Sequence, residues 1–181
     1  MYNAKFVGSP LPVNCKLNSG QCPKTEKDKA EMRRVSDASA IGSLMYAMVC
    51  MRPDIAFDVG IVSRYMSNPG MQHWAVVKWI LRYRRGTPSV YLIYGSGKPM
   101  LEGFTDSDMS GDVDSNRSTS GYVMTYPGGV VSWPSRLKKV VVLSTTKAEY
   151  MAAMEAEKEL IWMRDFLSEL GMKQEKIPTS F

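Results

Sequence analysis

Four carboxylates stand within nine residues of one another at Asp106, Asp108, Asp112 and Asp114, in the stretch Leu101-Glu-Gly-Phe-Thr-Asp-Ser-Asp-Met-Ser-Gly-Asp-Val-Asp114. Carboxylates this close repel unless a cation, an arginine or open water relieves them. Two chemistries fit the stretch: a solvated acidic turn, or part of a site for a hard metal ion such as Mg²⁺. From Asp106 the spacing also follows a calcium loop through its ninth position. The twelfth, where a bidentate glutamate belongs, is Arg117, and the entering segment has strand character, which argues against calcium.

A second carboxylate comes from a different element. Residues 145–170 form a long helical pattern, capped by Ser144, Thr145 or Thr146 and stopped by Gly171. On a helical wheel Glu149, Ala152, Ala153, Ala156, Leu160, Met163 and Leu167 share one stripe, with Glu149 at its upper edge. Glu149 there is either a partner for the helix dipole or a ligand aimed at whatever a sheet presents. Asp106 and Glu149 converging across a sheet–helix seam would suit two-metal phosphoryl chemistry, which takes three or four carboxylates from several elements.

A basic cluster lies elsewhere. Lys78, Arg82, Arg84 and Arg85 gather at the end of a third helix, where they either complement its dipole or contact phosphate. Lone His73 reads as a surface residue at the start of that helix. The chain has 181 residues and a formal charge of +5. Residues 1–100 hold fourteen Lys and Arg against six Asp and Glu, and residues 101–181 hold nine against twelve. A basic half joined to an acidic half suits a phosphate-backbone ligand near a metal site.

The elements that must position these groups follow from pattern. Residues 1–37 read as an extended lead rich in turn signals such as Ser9-Pro10 and Asn18-Ser19-Gly20. Residues 38–88 read as a helical region: one helix over 39–51, a second from Pro53 to about Met66, a third over 72–85. Ser36 or Asp37 would cap the first. From 89 onward the signals are those of strands, at 89–94, 101–107, 119–126, and 130–135 with 139–143, arranged as an antiparallel meander. The tail from Lys173 to Phe181, with Pro178, is expected to fray. Composition is that of globular protein, with 44% hydrophobic residues. No apolar run reaches membrane-span length, and the start lacks a secretory h-region, so no membrane partner is expected. Three cysteines, Cys15, Cys22 and Cys50, without a Cys-x-x-Cys pair, predict a reduced intracellular setting, cytoplasmic or nuclear, and no zinc site.

The segments Phe104-Thr-Asp-Ser-Asp108, Gly111-Asp112, Ser118-Thr-Ser-Gly-Tyr122, Ser132-Trp133 and Leu143-Ser-Thr-Thr-Lys-Ala-Glu-Tyr-Met-Ala152 resemble the ribonuclease H domain of copia-type retrotransposon Pol polyproteins. Upstream, Ala40-Ile-Gly-Ser-Leu-Met-Tyr46, Arg52-Pro-Asp-Ile55, Trp79-Ile-Leu-Arg-Tyr83 and Arg85-Gly-Thr87 resemble the region that joins reverse transcriptase to that domain. The resemblance implies an α+β fold: a helical N-terminal region over 38–88, then, over 89–181, a truncated ribonuclease H-like fold with a three-stranded antiparallel meander packed by one long helix. It implies cleavage of RNA in RNA–DNA hybrids by a carboxylate set holding two Mg²⁺ or Mn²⁺, with Asp106 and Glu149 as the first two members. The third and fourth members have no counterpart before Phe181, so metal binding is expected to be weak or absent and the chain inactive alone. The expected partners are RNA–DNA hybrid or RNA, and the rest of a reverse transcriptase; no small-molecule substrate is expected. A non-enzymatic nucleic-acid-binding module using the basic helix end is the alternative. Lys147, where the family shows Glu, and Pro134, which removes a ladder donor, depart from the family pattern.

Overall fold

The computed structural model of the chain describes residues 4–35 and 37–180. It is a mixed α+β protein of two compact units, residues 1–91 and 92–181.

The first unit holds helices α1 (Glu26–Arg33), α2 (Asp37–Cys50), α3 (Ala56–Ser63) and α4 (Met71–Gly86). The apolar periodicity of α2–α4 places Ile41, Leu44, Ile55, Val59, Val62, Val77 and Ile80 in one core, each at most 1% exposed. Burying a side chain of that size contributes about 1.5–3 kcal/mol. Pro53 opens a short 3₁₀ turn, Pro53–Ile55, ahead of α3, where its missing N–H costs nothing. Ser36, one of the two expected caps of α2, lies outside the described residues. Asp37 is the first helical residue and is buried.

Over residues 4–35 the lead is ordered, contrary to expectation. Leu17 is buried in the helical core, with Leu11, Cys15 and Cys22 packed beside it. Trp79 donates its indole N–H to the Ser9 carbonyl at 2.9 Å. Gly70 lies so close to this lead that a Cβ there would overlap the Gln21 carbonyl oxygen. Helix α1 has a capping box: the Thr25 hydroxyl accepts from the Asp28 N–H at 3.2 Å, and an Asp28 oxygen accepts from the Thr25 N–H at 3.3 Å. His73 is likewise no surface residue. It is 2% exposed, stacked on Tyr65 with 4.2 Å between centroids. Its Nδ1 accepts from the Gly70 N–H at 2.9 Å, while Nε2 faces the Asn18 carbonyl at 3.3 Å, so the neutral ring carries its proton on Nε2.

The second unit holds strands β1 (Glu102–Asp108), β2 (Thr119–Thr125), β3 (Val130–Ser132) and β4 (Ser135–Leu137), helix α5 (Thr145–Glu169), and strand β5 (Thr179–Ser180). The strand order is β3-β2-β1-β5, with β4 also on β2. β1 and β2 pair antiparallel without interruption from Glu102↔Thr125 to Asp108↔Thr119. Pro134 separates β3 from β4, yet its carbonyl still accepts from the Tyr122 N–H at 3.4 Å. Residues 89–94 form no strand. Their β-prone side chains Val90, Tyr91, Ile93 and Tyr94 are exposed, and without a ladder or a buried face that propensity has nothing to act on. Residues 139–143 are also irregular; of them only Val142 is buried.

Helix α5 packs along β1 and β2. Ser144 caps it by accepting from the Lys147 N–H. At its other end Gly171, with φ +80°, lets Met172 N–H reach the Leu167 carbonyl and Gly171 N–H reach that of Ser168, a complete Schellman close. Over residues 173–180 the tail does not fray. Gln174 accepts from the Leu101 N–H and donates to the Pro99 carbonyl, Ile177 packs on the core, and Gly103 N–H donates to Pro178. Thr179 and Ser180 then run parallel to Gly103 and Phe104, so a parallel strand accompanies the antiparallel ones.

Candidate functional site

The position of the carboxylates follows from the faces of β1. A Cβ at Gly103 would point at Leu160 of α5, and Met124, paired with Gly103, is buried in the same cluster. With the register unbroken, alternation puts Thr105 and Ser107 on that helix-facing side, with Tyr122 and Ser120 opposite them. Phe104, Asp106 and Asp108 therefore occupy the other face, and all three are exposed. Asp106 pairs across the ladder with Gly121.

Helix α5 runs against the direction of β1. Leu160 lies over Gly103, and Glu155 accepts from Ser120 at 3.4 Å, next to the Ser107↔Ser120 pair. Glu149 lies about 9 Å of helix further the same way, toward the carboxyl end of β1. Ala148, not Glu149, begins the buried stripe of Ala148, Ala152, Ala156, Leu160 and Leu167; Glu149 is exposed beside it. The two carboxylates thus share one end of the unit but belong to different faces. Among the described residues no three His, Cys, Asp or Glu side chains gather closely enough to hold a metal ion.

The rest of the acidic stretch is a self-closed turn. Asp112 is buried at 7% exposure, and one of its oxygens accepts from both the N–H and the hydroxyl of Ser115. The Asn116 N–H returns to the Asp112 carbonyl at 2.8 Å. Ser110 and Asn116 adopt positive φ to make the turn. Asp112 was expected to be solvated; it is instead the internal acceptor that shapes the loop, a role short polar side chains take readily. Asp114 is exposed.

On α4 the cations divide. Lys78, Arg82 and Arg85 fall on one face, at helical spacing, and Arg84 points elsewhere. Each of the three stands over an aromatic ring: Lys78 over Trp74 at 5.9 Å, Arg82 over Trp79 at 4.9 Å, Arg85 over Phe6 at 5.8 Å. The motif Arg52-Pro-Asp54, together with Tyr83 and Thr87, has a structural use. Buried Arg52 donates to both oxygens of Asp54 at 2.8 and 2.7 Å, and to the carbonyl and hydroxyl of Thr87. Tyr83 donates to Asp54 at 3.0 Å. Burial would raise the Asp54 carboxyl, but hydrogen bonds from Arg52 and Tyr83 outweigh it and hold it below the usual carboxylate range. Deeper in this unit, burial pushes Asp58 up to about 6.

Comparison with known proteins decides the family. Over 176 residues, 97% of this chain, it is 54% identical to the Retrovirus-related Pol polyprotein from transposon TNT 1-94 of Nicotiana tabacum. Over its whole length it is 34% identical to the Retrovirus-related Pol polyprotein from transposon RE2 of Arabidopsis thaliana. The chain belongs to the retrovirus-related Pol polyproteins of copia-type transposons. It spans 13% and 12% of the length of these two polyproteins. A third relative, the Secreted RxLR effector protein 161 of Plasmopara viticola, is 44% identical over 73% of this chain and 94% of itself, so that protein consists almost wholly of a stretch like this one. No family model and no solved structure matches the chain. Among the described residues no helix is long and apolar enough to cross a membrane.

One feature of this Pol-family chain escaped sequence reasoning. A cleft of about 460 Å³ opens between β4 and α5, lined in part by Arg136, Lys138, Lys139 and Lys158. The run Arg136-x-Lys138-Lys139 was visible as a signal. Its convergence with Lys158 required the packing of α5.

Proposed function

We propose that this chain is the stretch of a transposon Pol polyprotein that connects reverse transcriptase to a ribonuclease H-like domain and begins that domain, and that it holds RNA–DNA hybrid without cleaving it by itself. The observation that carries the reading is the α4 face. Lys78, Arg82 and Arg85 form a row about 10 Å long, each cation held over an aromatic ring. Cations braced this way lose little side-chain freedom on meeting a phosphate backbone. The family supports the partner, because its members are Pol polyproteins.

The ribonuclease H-like assignment is supported by a sheet in which the antiparallel strands β1–β4 are joined by a parallel one on β1, with α5 packed on one face. Asp106 and Glu149 are the residues of this chain that would enter a carboxylate set. By themselves they do not fit a Mg²⁺ or Mn²⁺ centre: they are two exposed groups on different faces, and among the described residues no three His, Cys, Asp or Glu side chains gather to hold a metal ion. No cleavage step is therefore assigned to this chain alone.

The test is a salt titration of hybrid binding to the whole chain, together with incubation in Mn²⁺. Hybrid is expected to bind and stay intact. Replacing Arg82 and Arg85 with Gln should lower the slope of log K against log salt by about 2 on a duplex. An unchanged slope sinks the binding surface, and cleavage that disappears in Asp106→Asn sinks the inactivity.

A further inference from the structure

We infer that the cleft between β4 and α5 is a second seat for a nucleic-acid phosphodiester backbone, on a unit that the α4 face does not belong to. The inference rests on the nucleic-acid reading above and extends it to residues 92–181.

The chemistry of the lining is specific. Arg136, Lys139 and Lys158 are exposed around the cleft, and among the described residues no carboxylate pairs with any of them. The cleft's own carboxylate, Glu155, is already engaged: Lys138, buried at 6% exposure, forms an ion pair with it, and Ser120 donates to it. Lys138 thus neutralises the one group that would repel an anion, while its backbone N–H is tied to the Ser118 carbonyl at 2.9 Å. Three cations remain, from β4, the segment after it and α5, and line the same space. Residues 92–181 carry ten Lys and Arg against twelve Asp and Glu, so this unit has no general attraction for polyanions. Three of those cations nevertheless line this one cleft.

Three cations around one cleft call for an anion of matching density. A phosphodiester backbone carries one regular charge per nucleotide and cannot neutralise itself by protonation at physiological pH. The ring of Tyr122 and the side chains of Pro134 and Met151 supply the apolar part of the lining, suited to the sugar rather than to a base edge. The seat would therefore add affinity and register without sequence preference.

The experiment compares the whole chain with the variant Arg136→Gln/Lys139→Gln/Lys158→Gln and with the charge-keeping variant Arg136→Lys/Lys139→Arg/Lys158→Arg. Hybrid binding is measured against salt, with a poly-glutamate peptide as competitor, and circular dichroism checks the fold. The prediction is that the neutral variant loses about 3 from the slope of log K against log salt on a duplex, while the charge-keeping variant retains it. Wild-type binding with an unchanged slope in the neutral variant overturns this seat and leaves the α4 face standing. Displacement of hybrid by poly-glutamate at equal charge concentration assigns the cleft to an acidic protein and overturns it too. A wild-type chain that binds no nucleic acid overturns both readings.

Discussion

The two units treat their polar motif residues in opposite ways. In the first, Arg52, Asp54, Tyr83 and Thr87 close on one another, buried or half-buried, and clasp the end of α4 to the turn before α3. In the second, Asp106 and Glu149 point outward from different faces. Both sets look equally like motifs in the sequence. One is architecture and the other is left open, and the difference lies in where the partners come from. The residues that complete Arg52 are in the same unit, whereas nothing among the described residues completes Asp106.

The largest effect should therefore come from breaking the closed set. Arg52→Ala leaves Asp54 half-buried without its bidentate partner and takes two donors from Thr87. Stability of the first unit should fall by about 3 kcal/mol, measured by urea unfolding. A loss below about 1 kcal/mol would mean that the clasp is exposed in solution and that the contrast between the units is false.

A second measurement probes the same unit through pH. Asp58 is buried by α3 and its carboxyl is pushed up to about 6. Its folded value lies above its unfolded value, so the protonated form favours folding. That contribution is fully present below about pH 4 and is lost as pH rises through about 6. The wild type should lose roughly 2–3 kcal/mol across this window, and Asp58→Asn should flatten the curve.

Gly103 offers a smaller effect in the second unit. A Cβ there would come within 2.9 Å of a Leu160 methyl and 3.2 Å of the Met124 sulfur, both at the ends of flexible side chains. Gly103→Ala should cost roughly 1–2 kcal/mol as those ends shift, read as a lower melting temperature. A neutral result would show that α5 sits less tightly on β1 than the other contacts imply.

Periodicity made α2, α4 and α5 readable, because their apolar stripes are long and their stops, Gly86 and Gly171 among them, are plain. The order in the lead was less visible. Its apolar residues are few, and they gain order by packing on the helical core and from hydrogen bonds to α4. Still, Thr25-x-x-Asp28 was a capping signal that went unread. Residues 89–94 failed for the converse reason: their propensity was high but no edge received them. The short β5 was hidden because a two-residue strand has no period; its place comes from the hydrogen bond between Gly103 and Pro178 and from Gln174. At the candidate site, the wheel placed Glu149 within one residue of the buried stripe. That one residue, 100° of helix, is the difference between a side chain aimed at the sheet and one aimed at solvent.

The smallest effect is the most telling for the comparison. Asp106→Asn and Glu149→Gln remove charge from exposed groups that make no hydrogen bond or ion pair among the described residues. Each should change stability by less than about 0.5 kcal/mol, with hybrid binding unchanged and no response of the wild type to added Mg²⁺ in a thermal melt. Asp112→Ala, four positions beyond the strand, should by contrast cost about 1 kcal/mol, because it strips the acceptor that Ser115 uses inside the turn. If Asp106→Asn instead destabilised the unit as much as Asp112→Ala, Asp106 would be holding structure together. If Mg²⁺ raised the melting temperature and Asp106→Asn abolished the rise, the two carboxylates would meet around a cation despite their separate faces. Either result would make the second unit closed like the first, and the contrast between them would go.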